Sequence, residues 1–455
     1  MAAEPLILVS NRGPVTFGRR RGVGRTAERG GGGLVTALLG LVDHTPALWI
    51  SAAISEEDAR VAEEADGRSF PLPDVGLATR GRFVVLDDDT FHAFYNVIAN
   101  PMLWFIQHYL WDLSNAPDVR IEELEAAEAI RAAHPDAFLH FFVHIPWPQP
   151  DYWRVLPPTI REPIVSGLLA NDIIAFHTPR YARNFLLSCE DLLDLRVDYQ
   201  RRVVRHEGRD VWVRSYPISV NEAAFLELGR SPEVAAEEGP ILRRRRRHMV
   251  LRVDRTDLSK NILRGFKAFD IFLDRHPEFL EHITFLALVQ PSRQDVDEYV
   301  EYVAKIRELV SYINTKHGNT DWMPIDLRIE SNLHRAVAAY KHYDVIMVNS
   351  IFDGMNLVAK EAALLNERDG ALILSENVGA HEEIGSFALS VNPFDIESQV
   401  QALHQALTMS PEERAARAHQ IRAIVRENNV VKWLAAQMAD IHRKRATRRR
   451  REART

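Results

Sequence analysis

At 455 residues the chain is longer than one hydrophobic core usually organises, so two domains of roughly 200 residues each are expected. Hydrophobic residues at 46% and charged residues at 26% exclude a disordered or fibrous protein, and a net charge of −7 argues against a general nucleic-acid binder. One cysteine, Cys189, excludes an intramolecular disulfide framework and a cysteine-rich metal site.

Short β-branched or aromatic runs alternate with longer amphipathic segments, the pattern of a parallel α/β protein. Strands are predicted at 5-PLILVS-10, 83-FVVL-86, 138-FLHFFVHI-145, 172-DIIAFH-177, 211-VWVRSYP-217, 249-MVLRV-253, 283-ITFLALV-289, 344-DVIMVN-349 and 371-ALILS-375. Long helices are predicted at 295–318 and 396–409. The acid-rich, weakly periodic stretch 218–240 is read as the junction between two α/β sets. This gives an amino-terminal domain over 1–220, a second domain over 221–410, a helical segment over 411–441 and a basic tail over 442–455. The arginine run 243–247 is read as linker or flank, and the tail as a solvated end. The apolar run in MAAEPLILVSNRGP is too short for a signal peptide or membrane span, so the cytoplasm is the expected compartment.

Four stretches could carry chemistry. In the first, 5-PLILVSNRGP-14 brings Arg12 to a strand end, and 30-GGGGLVTALLGLV-42 opens a helix with glycines, Gly33 among them. Backbone N–H groups and a helix amino terminus can bind phosphate there, although a plain loop tip fits the same residues. The second, 250-VLRVDRTDLSKNILRGFKAF-269, sets Arg255 and Lys260 just beyond a strand, where two cations suit a diphosphate and a solvated basic turn is the alternative.

The third stretch is 353-DGMNLVAKE-361. Asp353 stands at a strand's end, Gly354 and Asn356 lie in a turn, and a helix begins at Leu357. Asp353 can accept hydrogen bonds from sugar hydroxyls, and Glu361 can hold two ribose hydroxyls or merely face solvent. Met355 and Leu357 read as packing residues that flank the same turn. The fourth, 141-FFVHIPWPQPDYW-153, ends a strand at His144, which could touch a substrate hydroxyl or play a structural part. No His pair has zinc-ligand spacing, and no Asp-x-Asp pair stands ready to hold a metal under a nucleotide sugar.

Taken together, SNRGP, HIPWPQPDYWRVLP, RVDRTDLSKN, the PSR at 291–293, DGMNLVAKE, LSENVGA and VNPFD resemble the trehalose-6-phosphate synthases, retaining glycosyltransferases of family 20. The resemblance implies the GT-B fold, α/β with two Rossmann-like domains facing across a cleft. It implies a metal-independent transfer of glucose from a nucleoside-diphosphate glucose, a co-substrate rather than a cofactor, to glucose 6-phosphate. By motif, Arg12, Tyr95, Trp104 and Arg293 would hold the acceptor. Gly33, Arg255, Lys260, Asp353, Gly354, Met355, Asn356, Leu357 and Glu361 would line the donor site, and His144 with Asp353 would position the transferred sugar. Arg255, Lys260, Asp353 and His144 would carry the catalysis. No nucleic-acid or membrane partner is implied, and a homo-oligomer stays open.

The chain departs from the family pattern in one place. A His-Asp-Tyr strand motif, whose Asp contacts the acceptor, has no counterpart between Trp104 and the HIP strand, so the first domain reads as shortened near 112–136. Such a domain would lack one interior strand and one acceptor ligand. Two alternatives therefore accompany the reading: a pseudo-glycosyltransferase of the validoxylamine-phosphate synthase type, and a catalytically silent donor-binding paralogue.

Overall fold

The structure is a computed structural model that describes residues 6–20, 24–29, 38, 42, 46–73, 75, 79–87, 103–110, 136–294 and 296–452. Gly33, Tyr95 and the stretch 111–135, which contains nearly all of the segment read as shortened, lie outside these residues.

The carboxyl-terminal half is built on a six-stranded sheet of β12 (His248–Arg255), β13 (Ile283–Gln290), β14 (Ile325–Ile329), β15 (Val345–Val348), β16 (Ala371–Ser375) and β17 (Leu389–Val391). Every paired neighbour is parallel, in the order β14-β13-β12-β15-β16-β17. The central strands read as almost unbroken apolar runs because helices cover both faces: β13 is buried from Ile283 to Val289, and β15 and β16 throughout. Numbered from β12, the order is 3-2-1-4-5-6, that of a dinucleotide-binding sheet, with its switch point between β12 and β15. The cationic turn and the DGMN turn fall at the carboxyl ends of those two strands, the place where sheets of this order bind ligands.

Two sheets make the amino-terminal half. One joins β1 (Leu6–Ser10), β4 (Ala47–Ala52), β6 (Arg80–Val84) and β5 (Phe70–Pro71), in the order β1-β4-β6-β5. The other joins β7 (His140–Phe142), β8 (Ile173–Phe176), β11 (Arg209–Ser215), β10 (Val203–His206) and β9 (Val197–Asp198), in the order β7-β8-β11-β10-β9. A hairpin of β2 (Val15–Arg20) and β3 (Gly24–Arg29) stands apart. Among the described residues β1 and β7 are edge strands of separate sheets, and Ile7, Val9 and Phe141 on them are exposed.

The basic end of the chain differs from expectation. A helix runs from Val430 through Glu452 with no break at 441, and it packs back onto the amino-terminal half. Tyr216 donates its hydroxyl to Asp440 Oδ2 at 2.7 Å, Lys444 donates to the carbonyl of Asp210, and the Trp433 ring lies 5.5 Å from that of Phe142. Asp440 and Lys444 are buried, so the helix is held through its polar residues as well as Trp433, rather than ending as a solvated tail. The stretch 218–240 is likewise ordered, as helices Glu222–Leu228 and Pro232–Arg244, whose amino ends are capped by the side chains of Asn221 and Ser231.

Candidate active site

The turn after β15 is sunk between the two halves of the molecule. Asp353 forms an isolated parallel bridge to Val378, and Gly354, Met355 and Asn356 are buried. A Cβ on Gly354 would lie 2.1 Å from the carbonyl oxygen of His144, so only glycine admits this contact with the amino-terminal half. Asn356 takes the left-handed conformation at φ +65°, accepts from the N–H of Ala359 and so caps the helix Leu357–Leu365. Its Nδ2 donates to Asp353 Oδ2 at 3.0 Å, which ties the capping residue to the carboxylate. From the other side Tyr181 donates its hydroxyl to the Asp353 carbonyl at 2.9 Å.

Facing this turn, a 3₁₀ turn at Leu258–Lys260 follows β12 and delivers Lys260. Lys260 Nζ lies 2.5 Å from Asp353 Oδ2, and both side chains are largely covered. Burial disfavours both charges, yet the pair overrides it: Lys260 is held above the usual lysine range by Asp353 and Asp254, and Asp353 below the usual carboxylate range by Lys260. Both are therefore ionised near neutral pH. Lys260 is therefore not part of a solvated basic turn, the alternative reading of its stretch, but a largely covered member of an ion pair.

Arg255 leaves the end of β12 with its side chain 45% exposed and pairs with Asp257 Oδ2 at 2.6 Å. The other oxygen of Asp257 accepts from Arg293 Nη1 at 3.0 Å, and Asp257 itself is fully buried. Burial pushes this carboxyl up, but the two arginines and Lys260 hold it below the usual range. Both guanidiniums also face the indole of Trp104, Arg293 at 4.0 Å and Arg255 at 5.4 Å from the ring centroid. Three residues assigned by motif to different substrates, Arg255, Arg293 and Trp104, thus meet around one carboxylate.

Glu361, on the Leu357–Leu365 helix, accepts from the Tyr340 hydroxyl through Oε2 at 3.3 Å. Burial pushes its carboxyl up to about 7. It is not the solvent-facing helix carboxylate that its position alone suggested. His144 sits after β7 with its ring stacked on Phe142 at 4.5 Å and 5.1 Å from His177, and burial lowers it to about 4, leaving it neutral. The Met355 side chain belongs to the hydrophobic core and Leu357 packs against it. Arg12 is exposed on the turn after β1, its carbonyl accepting from Ser10 Oγ at 2.7 Å.

Sequence reasoning missed two members of this neighbourhood. Asp257 lies inside the RVDRTDLSKN stretch but drew no attention as a carboxylate among cations. His108 stacks on Trp104 with centroids 3.9 Å apart, bonds to the Trp104 carbonyl through Nδ1 at 2.9 Å, and is lowered to about 4 by burial. Its place four residues after Trp104 on one helical turn was the available signal. Among the described residues, the groupings able to hold a metal ion are His276-Glu278-His404 and Asp270-Asp274-His317, and neither includes a residue of this site.

Residues 124–443 match the family described as glycosyltransferase family 20. That match begins beyond Arg12, Gly33, Tyr95 and Trp104, but whole-chain relatives extend it. The chain is 32% identical to alpha,alpha-trehalose-phosphate synthase [UDP-forming] 2 of Aspergillus fumigatus, over 96% of each chain. That alignment runs over 473 residues, more than the chain possesses, so it carries gaps on this side. It is 31% identical to validamine 7-phosphate valienyltransferase of Streptomyces hygroscopicus, over 96% of this chain and 94% of the relative. Among solved structures, the UDP-forming alpha,alpha-trehalose-phosphate synthase of Burkholderia xenovorans in complex with glucose-6-phosphate superposes with a TM-score of 0.78 at 26% identity. It covers 96% of this chain and 100% of that one. The fold is GT-B, and the chain belongs to glycosyltransferase family 20.

Proposed function

We propose that the protein transfers glucose, with retention of configuration, from a nucleoside-diphosphate glucose to glucose 6-phosphate, giving trehalose 6-phosphate. The observation that carries this reading is the ionised Lys260–Asp353 pair at the switch point between β12 and β15, with Arg255 beside it. The UDP-forming relatives point to UDP-glucose as the donor.

The donor diphosphate would lie against Arg255 and Lys260, whose charges offset the negative charge that grows as the leaving group departs. Glu361 would accept from the ribose hydroxyls, and the amino end of the Leu357–Leu365 helix would face the phosphates. Because Asp353 Oδ2 is committed to Lys260 and Asn356, its Oδ1 would meet the sugar. The carboxylate is thereby placed to orient glucose, with neutral His144 offering a second polar contact. The acceptor hydroxyl would attack from the face that the diphosphate leaves, and positioning supplies the rest of the acceleration. On the acceptor side Arg293 over Trp104, with Arg12 and Tyr95, would hold glucose 6-phosphate.

A second reading is kept because the valienyltransferase is 31% identical to the chain, almost the same as the synthase at 32%. A third, donor binding without turnover, follows from the absent His-Asp-Tyr motif. One assay separates them: incubation with a panel of nucleoside-diphosphate glucoses and a nucleoside-diphosphate cyclitol, each with glucose 6-phosphate, and product identification by mass spectrometry. A phosphorylated disaccharide from a glucose donor supports the proposal. A product formed only from the cyclitol donor favours the second reading, and none at all the third.

A further inference from the structure

The arginine run 243–247, which the transfer chemistry does not use, borders a cavity of about 190 Å³ at the amino ends of β12, β13 and β14. The cavity lies at the end of the sheet opposite the candidate active site. Met249 on its wall and Arg255 in that site are six residues apart along β12, roughly 20 Å. Its floor is apolar, formed by Ile241, Met249 and Leu286, all buried. Arg244, Arg245, Arg328 and Arg335 also line it, with Pro240 and Thr284.

A single lining carboxylate, Asp326, answers these cations. It accepts from Arg244 Nη1 at 3.0 Å through Oδ2 and pairs with Arg328 Nε at 2.8 Å through Oδ1. Arg335 reaches away to Glu237 at 2.8 Å, and Arg245 to Asp344 at 2.5 Å. The cavity opens to solvent past Arg244, whose side chain is 56% exposed, and a substrate cleft for a nucleotide sugar would be larger, about 300–1,000 Å³. An apolar floor beneath a planar cationic fork matches a small molecule with a hydrocarbon body and one carboxylate head.

We infer that this cavity is a binding site for a compact apolar monocarboxylate, distinct from the candidate active site, in which the ligand's carboxylate takes the place now held by Asp326 between Arg244 and Arg328. The inference does not depend on the transferase reading. Asp326 then acts as a resident competitor, so two substitutions must move affinity in opposite directions. Arg328→Ala removes part of the fork, whereas Asp326→Asn removes the competitor at nearly constant shape.

The test is titration of the full-length protein with benzoate and with 3-methylbutanoate, followed by calorimetry or by ligand-observed NMR. Saturable binding is expected, weakened about tenfold in Arg328→Ala and strengthened about tenfold in Asp326→Asn. UDP should not displace the probe, and the neutral analogue benzamide should not bind. Since misfolding cannot raise affinity, the Asp326→Asn arm decides the matter even if Arg328→Ala is unstable. Absence of saturable binding, equal binding of benzamide, displacement by UDP, or unchanged or weaker binding in Asp326→Asn would overturn the assignment.

Discussion

Lys260 and Asp353 lie 93 residues apart in the chain, and their side chains meet at 2.5 Å. The contact bridges the carboxyl ends of β12 and β15, where the sheet order reverses. With the proposed roles, stability and function would be joined in one pair. Lys260→Ala would leave Asp353 buried without its counter-charge, at a cost of about 3–5 kcal/mol. A fall in melting temperature should accompany loss of activity. Wild-type thermal stability in Lys260→Ala would show that the pair is open to water.

Arg255→Ala should behave differently. Its side chain is nearly half exposed, and Asp257 keeps Arg293 as a partner. Unfolding should change by less than about 1 kcal/mol. Turnover should fall roughly a hundredfold, since one preorganised contact to the leaving group is worth about 3 kcal/mol. Steady-state kinetics with an unfolding curve separates the two effects, and unchanged kinetics would remove Arg255 from the diphosphate.

With Glu361 holding the ribose as proposed, donor affinity should depend on pH. Burial raises its carboxyl to about 7, above the unfolded value. Its contribution to stability is thus complete below the unfolded pKa and is lost as pH rises through about 7. A ribose held by the ionised form has the opposite slope, so nucleoside-diphosphate affinity should rise between about pH 6 and about pH 8, by up to tenfold. Calorimetry across that range should show the slope in the wild type and a flat profile in Glu361→Gln. A slope that persists in the variant would assign it to another group.

Gly354→Ala should disturb the seam between the halves, because the new methyl would sit 2.1 Å from the His144 carbonyl. The turn must shift or the halves must part. We expect an activity loss of more than tenfold and destabilisation of about 1–3 kcal/mol, read by kinetics and chemical denaturation. A neutral outcome would mean that the seam yields easily.

Much of this was legible in the sequence. Runs such as ITFLALV and ALILS, buried on both faces, announce parallel strands, and the sequence DGMN followed by an apolar helix announces a capped turn at a strand's end. Short edge strands were less visible: β14 reads IDLRI, with charged residues at alternate positions, and β17 has only three residues. Burial that depends on distant partners was not visible at all. Nothing near Lys260 tells that Asp353 will cover it, and nothing in ADIHRKR tells that Tyr216 and the carbonyl of Asp210 await Asp440 and Lys444. The raised carboxyl of Glu361 comes from burial beside Tyr340, 21 residues earlier, which its own helix does not reveal. Gly33, Tyr95 and the region of the absent His-Asp-Tyr motif lie outside the described residues, and of the acceptor candidates the structure places Arg12, Trp104 and Arg293.

Donor and acceptor affinity should accordingly be unequal. The residues proposed to hold the donor, Arg255, Lys260, Asp353 and Glu361, are all present, whereas the proposed acceptor side lacks the motif's Asp. Loss of one charge-assisted contact costs about 1.5–3 kcal/mol, or roughly ten- to a hundredfold in affinity. Titration with UDP, then with glucose 6-phosphate in its presence, should show tight donor and weak acceptor binding. Tight acceptor binding would show that another residue replaces the missing Asp.

The most direct test of retaining glucosyl transfer is the NMR spectrum of the product formed from UDP-glucose and glucose 6-phosphate. A non-reducing α,α-1,1-linked disaccharide phosphate is expected, formed one for one with UDP and in the presence of EDTA, because Arg255 and Lys260 are proposed to supply the charge at the diphosphate. An inverted linkage, UDP released only with free glucose, or no transfer by a protein that binds UDP normally would contradict it.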